Sequence, residues 1–277
     1  MAAEGCTHDC SSCGSDCADR KEKFDFTAKL NASSRVKKVI AVASGKGGVG
    51  KSFVTTMLAV AASRKGLAVG ILDADITGPS IPKSFGLSGG TLQGDDGIEP
   101  TVTDGGIRVM SLNMLVQDPT DPVVWRGPIV AGAVKQFWTD VHWGDLDVMF
   151  VDMPPGTGDV PLTVYQSLPV DGVVIVSSPQ KLVELIVGKS VKMAQMMEKK
   201  VLGLVENMSY FTCPDCSRRH DVFGPSGVDE MAARYGIPQT LRLPIDPAFA
   251  QEIDAGKAES LVLPDVDAFV AKIVLEK

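Results

Sequence analysis

Residues Gly45-Lys46-Gly47-Gly48-Val49-Gly50-Lys51-Ser52 match the pattern G-x-x-x-x-G-K-[ST]. The motif follows a continuous apolar run, Val39-Ile40-Ala41-Val42-Ala43, and precedes a helical pattern over 50–64 that ends at Gly66. Such a loop works only between a buried strand and the N-terminus of a helix. There, glycines let successive N–H groups turn onto a phosphate, and the helix dipole favours its negative charge. Lys51 is expected at the β- and γ-phosphates and the Ser52 hydroxyl on Mg²⁺, with Phe53 completing the nucleotide-binding stretch.

The rest of the chain repeats the same alternation. Short apolar runs at Val69–Leu72, Arg108–Leu112, Val148–Asp152, Val173–Ser177, Leu202–Glu206 and Leu241–Leu243 alternate with helical patterns at 127–141, 159–167, 181–199, 226–235, 246–255 and 265–276. This predicts an α/β fold: a single P-loop NTPase domain over 33–277, mainly parallel sheet with helices on both faces. The Gly/Asp-rich stretch from Gly89 to Gly106 reads as a surface hairpin or loop, and 21–37 as a linker. Residues 1–32 form a small, flexible, Cys-rich N-terminal segment with too little apolar surface for a core.

The 277 residues carry a formal net charge of −7, which gives no electrostatic footprint for nucleic acid or an anionic membrane. Met1-Ala2-Ala3-Glu4-Gly5 has neither the basic nor the apolar region of a secretory signal. No apolar run approaches the roughly 18–20 residues of a membrane span. A cytoplasmic location, with no nucleic acid and no membrane as partners, is the expectation. In that setting cysteines are metal ligands or redox groups before they are disulfides.

The six cysteines are clustered: Cys6, Cys10, Cys13 and Cys17 at one end, Cys213 and Cys216 near the other. Cys213-Pro214-Asp215-Cys216 brings two sulfurs to one side of a turn. Two ligands leave a tetrahedral site half filled. Two copies meeting about a two-fold axis would supply four thiolates, suited to a [4Fe–4S] cluster or to zinc. His220 opens another arrangement, with Cys213, Cys216 and His220 as zinc ligands within one chain. The N-terminal four provide a complete Cys₄ set in a short segment, for a cluster or zinc, or form a metal-free tail. Asp152, ending the run from Val148, reads as the carboxylate that holds Mg²⁺ through water.

The second lysine, Lys46, directly after the first glycine, makes the loop resemble the deviant Walker A ATPases. That family includes nitrogenase iron protein, the septum-positioning and plasmid-partitioning ATPases, and the Mrp-type iron–sulfur carriers. The resemblance narrows to the Mrp-type carriers on Asp152-Met153-Pro154-Pro155-Gly156-Thr157-Gly158-Asp159, Ser178-Pro179-Gln180, Glu206-Asn207-Met208-Ser209-Tyr210-Phe211 and the C-P-x-C after it. It implies a homodimer in which Lys46 reaches the partner's nucleotide like an arginine finger. It places Asp75 at the attacking water, Asp73 near Mg²⁺, and Asn207 with Pro244 and Asp246 around adenine. It implies ATP, Mg²⁺ and a [4Fe–4S] cluster as cofactors. Apo iron–sulfur proteins are the implied recipients, and a related scaffold subunit a further partner. Larger scaffold relatives carry an N-terminal four-cysteine segment with its own [4Fe–4S] cluster; here its cysteines are more tightly spaced. The competing readings are a zinc-stabilised P-loop scaffold and a positioning ATPase without a cluster. The second would call for a basic amphipathic C-terminal helix, whereas Val266, Phe269, Val270, Ile273 and Val274 form a core-packing face offset by acids.

Overall fold

A computed structural model describes residues 26–75, 80–88, 92–115 and 127–276. The cysteines at 6, 10, 13 and 17 lie outside the described residues. In chain order the main elements are β1 (Val39–Ser44), α1 (Lys51–Arg64), β2 (Val69–Asp73), α2 (Ser80–Ser84), β3 (Thr101–Val102), β4 (Arg108–Ser111), α3 (Gly127–Asp140), β5 (Val148–Asp152), α4 (Asp159–Ser167), β6 (Gly172–Ser177), α5 (Lys181–Met196), β7 (Lys200–Thr212), β8 (Arg219–His220), α6 (Val228–Tyr235), β9 (Thr240–Ile245), α7 (Pro247–Asp254) and α8 (Pro264–Val270).

The strands pair in the order β8-β7-β6-β1-β5-β2-β4-β3, with β9 also on β7, a nine-stranded sheet among the described residues. All pairs are parallel except β3 with β4 and β7 with β8. β1 lies between β5 and β6 and is buried throughout, which is why its sequence is a continuous apolar run and not an alternation. Its side chains still alternate between two cores. Val39, Ala41 and Ala43 join Phe137, Trp138 and Val164 on one face, and Ile40 and Val42 join Leu58 and Phe269 on the other. Val266, Phe269, Val270 and Ile273 are buried in the second core, so the C-terminal helix is packed inward as its pattern predicts.

Two stretches depart from the expected boundaries. Arg35–Val36, inside the expected linker, pair in parallel with Asp145–Leu146, and Ala28 is tied to Ser167 and Trp138 by hydrogen bonds. β7 does not stop at Glu206 but runs on to Thr212, past its last pairing with β6 at Ser177↔Glu206. The Gly89–Gly106 stretch does contain a hairpin, Leu92–Gly94 with Gly97–Glu99. Among the described residues no helix is long and apolar enough to cross a membrane.

Candidate functional site

The parallel register brings the carboxyl ends of β1, β5 and β2 together: Val42 opposes Asp152, and Asp152 opposes Asp73. Open α/β sheets bind ligands outside this edge. The phosphate loop turns there from β1 into α1, through Gly50 in the left-handed region at φ 78°. A Cβ on Gly50 would lie 2.2 Å from Asn207 Nδ2, so glycine is required twice over. At Gly45 the constraint is contact alone, because a Cβ would meet Ile186 Cγ2 at 2.1 Å.

Lys51, 6% exposed, points into the site with Nζ 2.8 Å from Asp152 Oδ1 and 3.3 Å from Asp75 Oδ2. Burial pulls its pKa down, but Asp152, Asp75 and Asp73 more than offset that, and the net shift is upward. Ser52 Oγ donates to Asp152 Oδ2 at 2.6 Å, and Thr55 Oγ1 donates to Asp152 Oδ1 at 2.7 Å. Asp73, 1% exposed, accepts from Ser111 Oγ at 2.8 Å and from the Asp75 N–H at 3.1 Å. Burial, and then the adjacent Asp152 carboxylate, push its pKa well above the ordinary value.

This set of hard oxygens, two carboxylates and a hydroxyl beside a buried ammonium, fits Mg²⁺ and phosphate. A cavity of about 440 Å³ opens over it, walled by the loop, Asp75, Pro155, and Lys83 and Ile253 from α2 and α7. Ser44 Oγ, in the same wall, is buried without a hydrogen-bond partner among the described residues. The loop that follows β5 is anchored to β1 by its Gly156 N–H, which donates to the Ser44 carbonyl at 2.8 Å.

The remaining expected residues divide. Phe53 lines the cavity and stacks on Phe249 of α7, ring centroids 5.5 Å apart. Asn207, buried, donates to the Val49 carbonyl at 3.0 Å and so touches the loop itself. Pro244 pairs with Tyr210 within the sheet, and Asp246 caps α7 by accepting from the Ala248 N–H at 2.9 Å. Lys46 is exposed at the rim, its Nζ 3.4 Å from Gln180 Oε1 of the same chain. Thr55 and Ser111 escaped the sequence reading, and Gln180 entered it only as part of a motif that carried the resemblance, with no role. Thr55 alone left a signal there, one helical turn after Lys51 and on the same face.

The cysteine pair sits beyond β7, where Cys213 N–H donates to the Arg218 carbonyl and Ser217 N–H to the Cys213 carbonyl, both at 2.9 Å. Neither cysteine is in a disulfide, and Cys216 is exposed. Backbone N–H groups of Cys216 and Asp215, then the Cys216 thiol, donate to the Cys213 sulfur and lower its pKa. Among the described residues no three His, Cys, Asp or Glu side chains gather as a metal set, so Cys213, Cys216 and His220 are not assembled as a zinc site within one chain.

A family model described as ParA: NUBPL iron-transfer P-loop NTPase matches residues 35–275. An iron-sulfur cluster carrier protein of Methanocaldococcus jannaschii is 44% identical over 257 residues, covering 91% of this chain and 89% of that protein. The cytosolic Fe-S cluster assembly factor CFD1 of Eremothecium gossypii is 44% identical over 229 residues, 79% of this chain and 82% of that protein. Among solved structures, a nucleotide-binding protein of Archaeoglobus fulgidus in complex with ADP, with cobalt found, has a TM-score of 0.77 at 44% identity. It covers 84% of this chain and 92% of that one. The septum site-determining protein MinD of Pyrococcus horikoshii, complexed with Mg-ADP, shares the fold with a TM-score of 0.58 at 19% identity, over 87% of this chain and 96% of that one.

Proposed function

This chain belongs to the iron-transfer P-loop NTPase family, and from that membership we propose that it is an ATP-hydrolysing iron–sulfur cluster carrier. Two copies hold a [4Fe–4S] cluster between their Cys213–Cys216 pairs and pass it to apo iron–sulfur proteins in the cytoplasm. The observation that carries the reading is the unbridged cysteine pair, half of a four-thiolate set, held at the end of β7 with the Cys213 sulfur in a nest of N–H donors.

Mg²⁺, when bound, would supply positive charge against the phosphates. Asp152, Asp73 and the Ser52 hydroxyl are the groups to hold it. Lys51, now balanced by Asp152 and Asp75, turns its charge to the phosphates. Asp75 orients the attacking water, and Asn207, Pro244 and Asp246 flank the adenine. The phosphate N–H donors come from Gly45 to Ser52. Lys46 acts across the dimer, adding positive charge to the partner's phosphates; its exposure at the rim supports this. The N-terminal cysteines, Cys6, Cys10, Cys13 and Cys17, hold a second cluster. A related scaffold subunit is a natural partner, given the likeness to an assembly factor.

Anaerobic reconstitution with iron and sulfide tests this. The full chain is expected to take up about two irons per chain at the shared pair and about four at the N-terminal set. Cys213→Ser with Cys216→Ser removes the first, and serine at the four N-terminal positions removes the second. If neither variant loses iron, the proposal fails; zinc retained in place of iron would make the chain a zinc-stabilised scaffold.

A further inference from the structure

β7 runs as one strand into a hairpin with β8 whose turn carries Cys213 and Cys216, but its pairing with β9 breaks between Glu206 and Tyr210, where Met208 is left-handed at φ 56°. Beyond the break the ladder resumes for two residues, Tyr210↔Pro244 and Phe211↔Ile245, and within it side chains join β7 to β9. Arg242 of β9 touches both sides. Its Nε donates to Ser209 Oγ at 2.8 Å, and Ser209 Oγ donates to Glu206 Oε2 at 2.5 Å. Its Nη2 lies 3.7 Å from Asp221 Oδ1, just past β8 on the hairpin's return. The Tyr210 ring carries the Arg219 guanidinium 4.3 Å from its centroid and that of Arg242 at 5.7 Å. Glu206 and Ser209 are 3% and 0% exposed, so the inner end of this network is shielded from water, whereas Asp221 at its outer end is half-exposed.

The same two strands lead to the nucleotide. Asn207, inside the break, donates to the phosphate loop at the Val49 carbonyl. β9 ends at Ile245, and the next residue, Asp246, caps α7, whose Phe249 stacks on Phe53 in the cavity wall. A change in the loop therefore reaches β7 at the break and β9 at its end, and Arg242 joins the two strands to the hairpin.

We propose that Arg242 is a positioning residue that makes the placement of the Cys213 and Cys216 thiols depend on whether nucleotide is bound. The proposal deepens the carrier reading and rests on its nucleotide site, but it requires no iron. It is tested on the full-length, metal-free protein by N-ethylmaleimide alkylation of Cys213 and Cys216, resolved by peptide mass spectrometry. Rates are compared with and without Mg²⁺ and a non-hydrolysable ATP analogue. Wild type is expected to change rate by about fivefold on nucleotide binding. Arg242→Met is expected to bring that ratio to about one while analogue affinity is retained, and Arg242→Lys to keep part of it. A merely structural role would alter both rates together and leave the ratio intact, which overturns the proposal, as does a wild-type ratio of one. Should Arg242→Met not fold, Asp221→Asn breaks the hairpin end of the clamp at a half-exposed side chain and is expected to give the same loss. Loss of the iron signal with the alkylation ratio preserved would remove the cluster and leave this coupling standing.

Discussion

Burial and the neighbouring Asp152 raise the Asp73 pKa in the folded chain, so between the ordinary value of 3.8 and its folded value the native state binds more protons than the unfolded one. Its contribution to stability is therefore full below 3.8 and declines as pH rises through the folded value. Asp73→Asn is expected to flatten that decline and raise the melting temperature of the nucleotide-free protein at neutral pH, which thermal melts across pH would show. Mg²⁺ needs the carboxylate, so Mg-nucleotide binding should release a proton and tighten with rising pH over the same window. Calorimetry in buffers of different ionisation enthalpy measures that proton; none released would contradict the placement of Asp73. Thr55→Val leaves one buried oxygen of Asp152 a donor short and should lower stability by about 1–3 kcal/mol in urea melts. Of the residues gathered at the site, Lys51, Ser52 and Asp152 stood out by their offset from the glycine loop or a strand end, and Asp73 and Asp75 only through the family resemblance. Ser111 did not, because its bond to Asp73 is made by the pairing of β2 with β4.

The stack of Phe53 on Phe249 ties α1 to α7 over the cavity. Phe249→Ala should lower stability by about 1 kcal/mol and weaken ATP binding. Unchanged ATP affinity in a fluorescence titration would mean that α7 does not close the site. The buried parallel strands β1, β2, β5 and β6 were readable as apolar runs because both their faces are covered. The extension of β7 was hidden for the same reason in reverse. Asn207-Met208-Ser209 interrupts the apolar run, and the structure accommodates it as a break in pairing and not as the strand's end. The five-residue α2 is too short for helical periodicity to register.

The proposed homodimer would make the two lysines of the loop separable. Lys46→Ala should lower turnover by about 10²-fold, and Lys51→Met should abolish nucleotide-dependent turnover in its own chain. Mixed together, the two variants are expected to regain activity, since a Lys51→Met chain can still lend Lys46 to its partner's site. A mixture no more active than its parts would exclude a role for Lys46 in trans. How copies assemble is not written in periodicity, and the sequence pointed to it only through a half-filled thiol set and an extra lysine. The left-handed Met208 has a further consequence for the molecule as a whole. It divides β7 into a stretch locked in the central ladder and a stretch held by two-residue pairings with β9 and with β8. Amide hydrogen exchange should divide at the same place, with 203–206 exchanging only on global unfolding and 211–220 by local opening. On the proposed carrier reading, the Cys213–Cys216 end would then breathe on its own, and cargo would enter and leave a molecule that never unfolds.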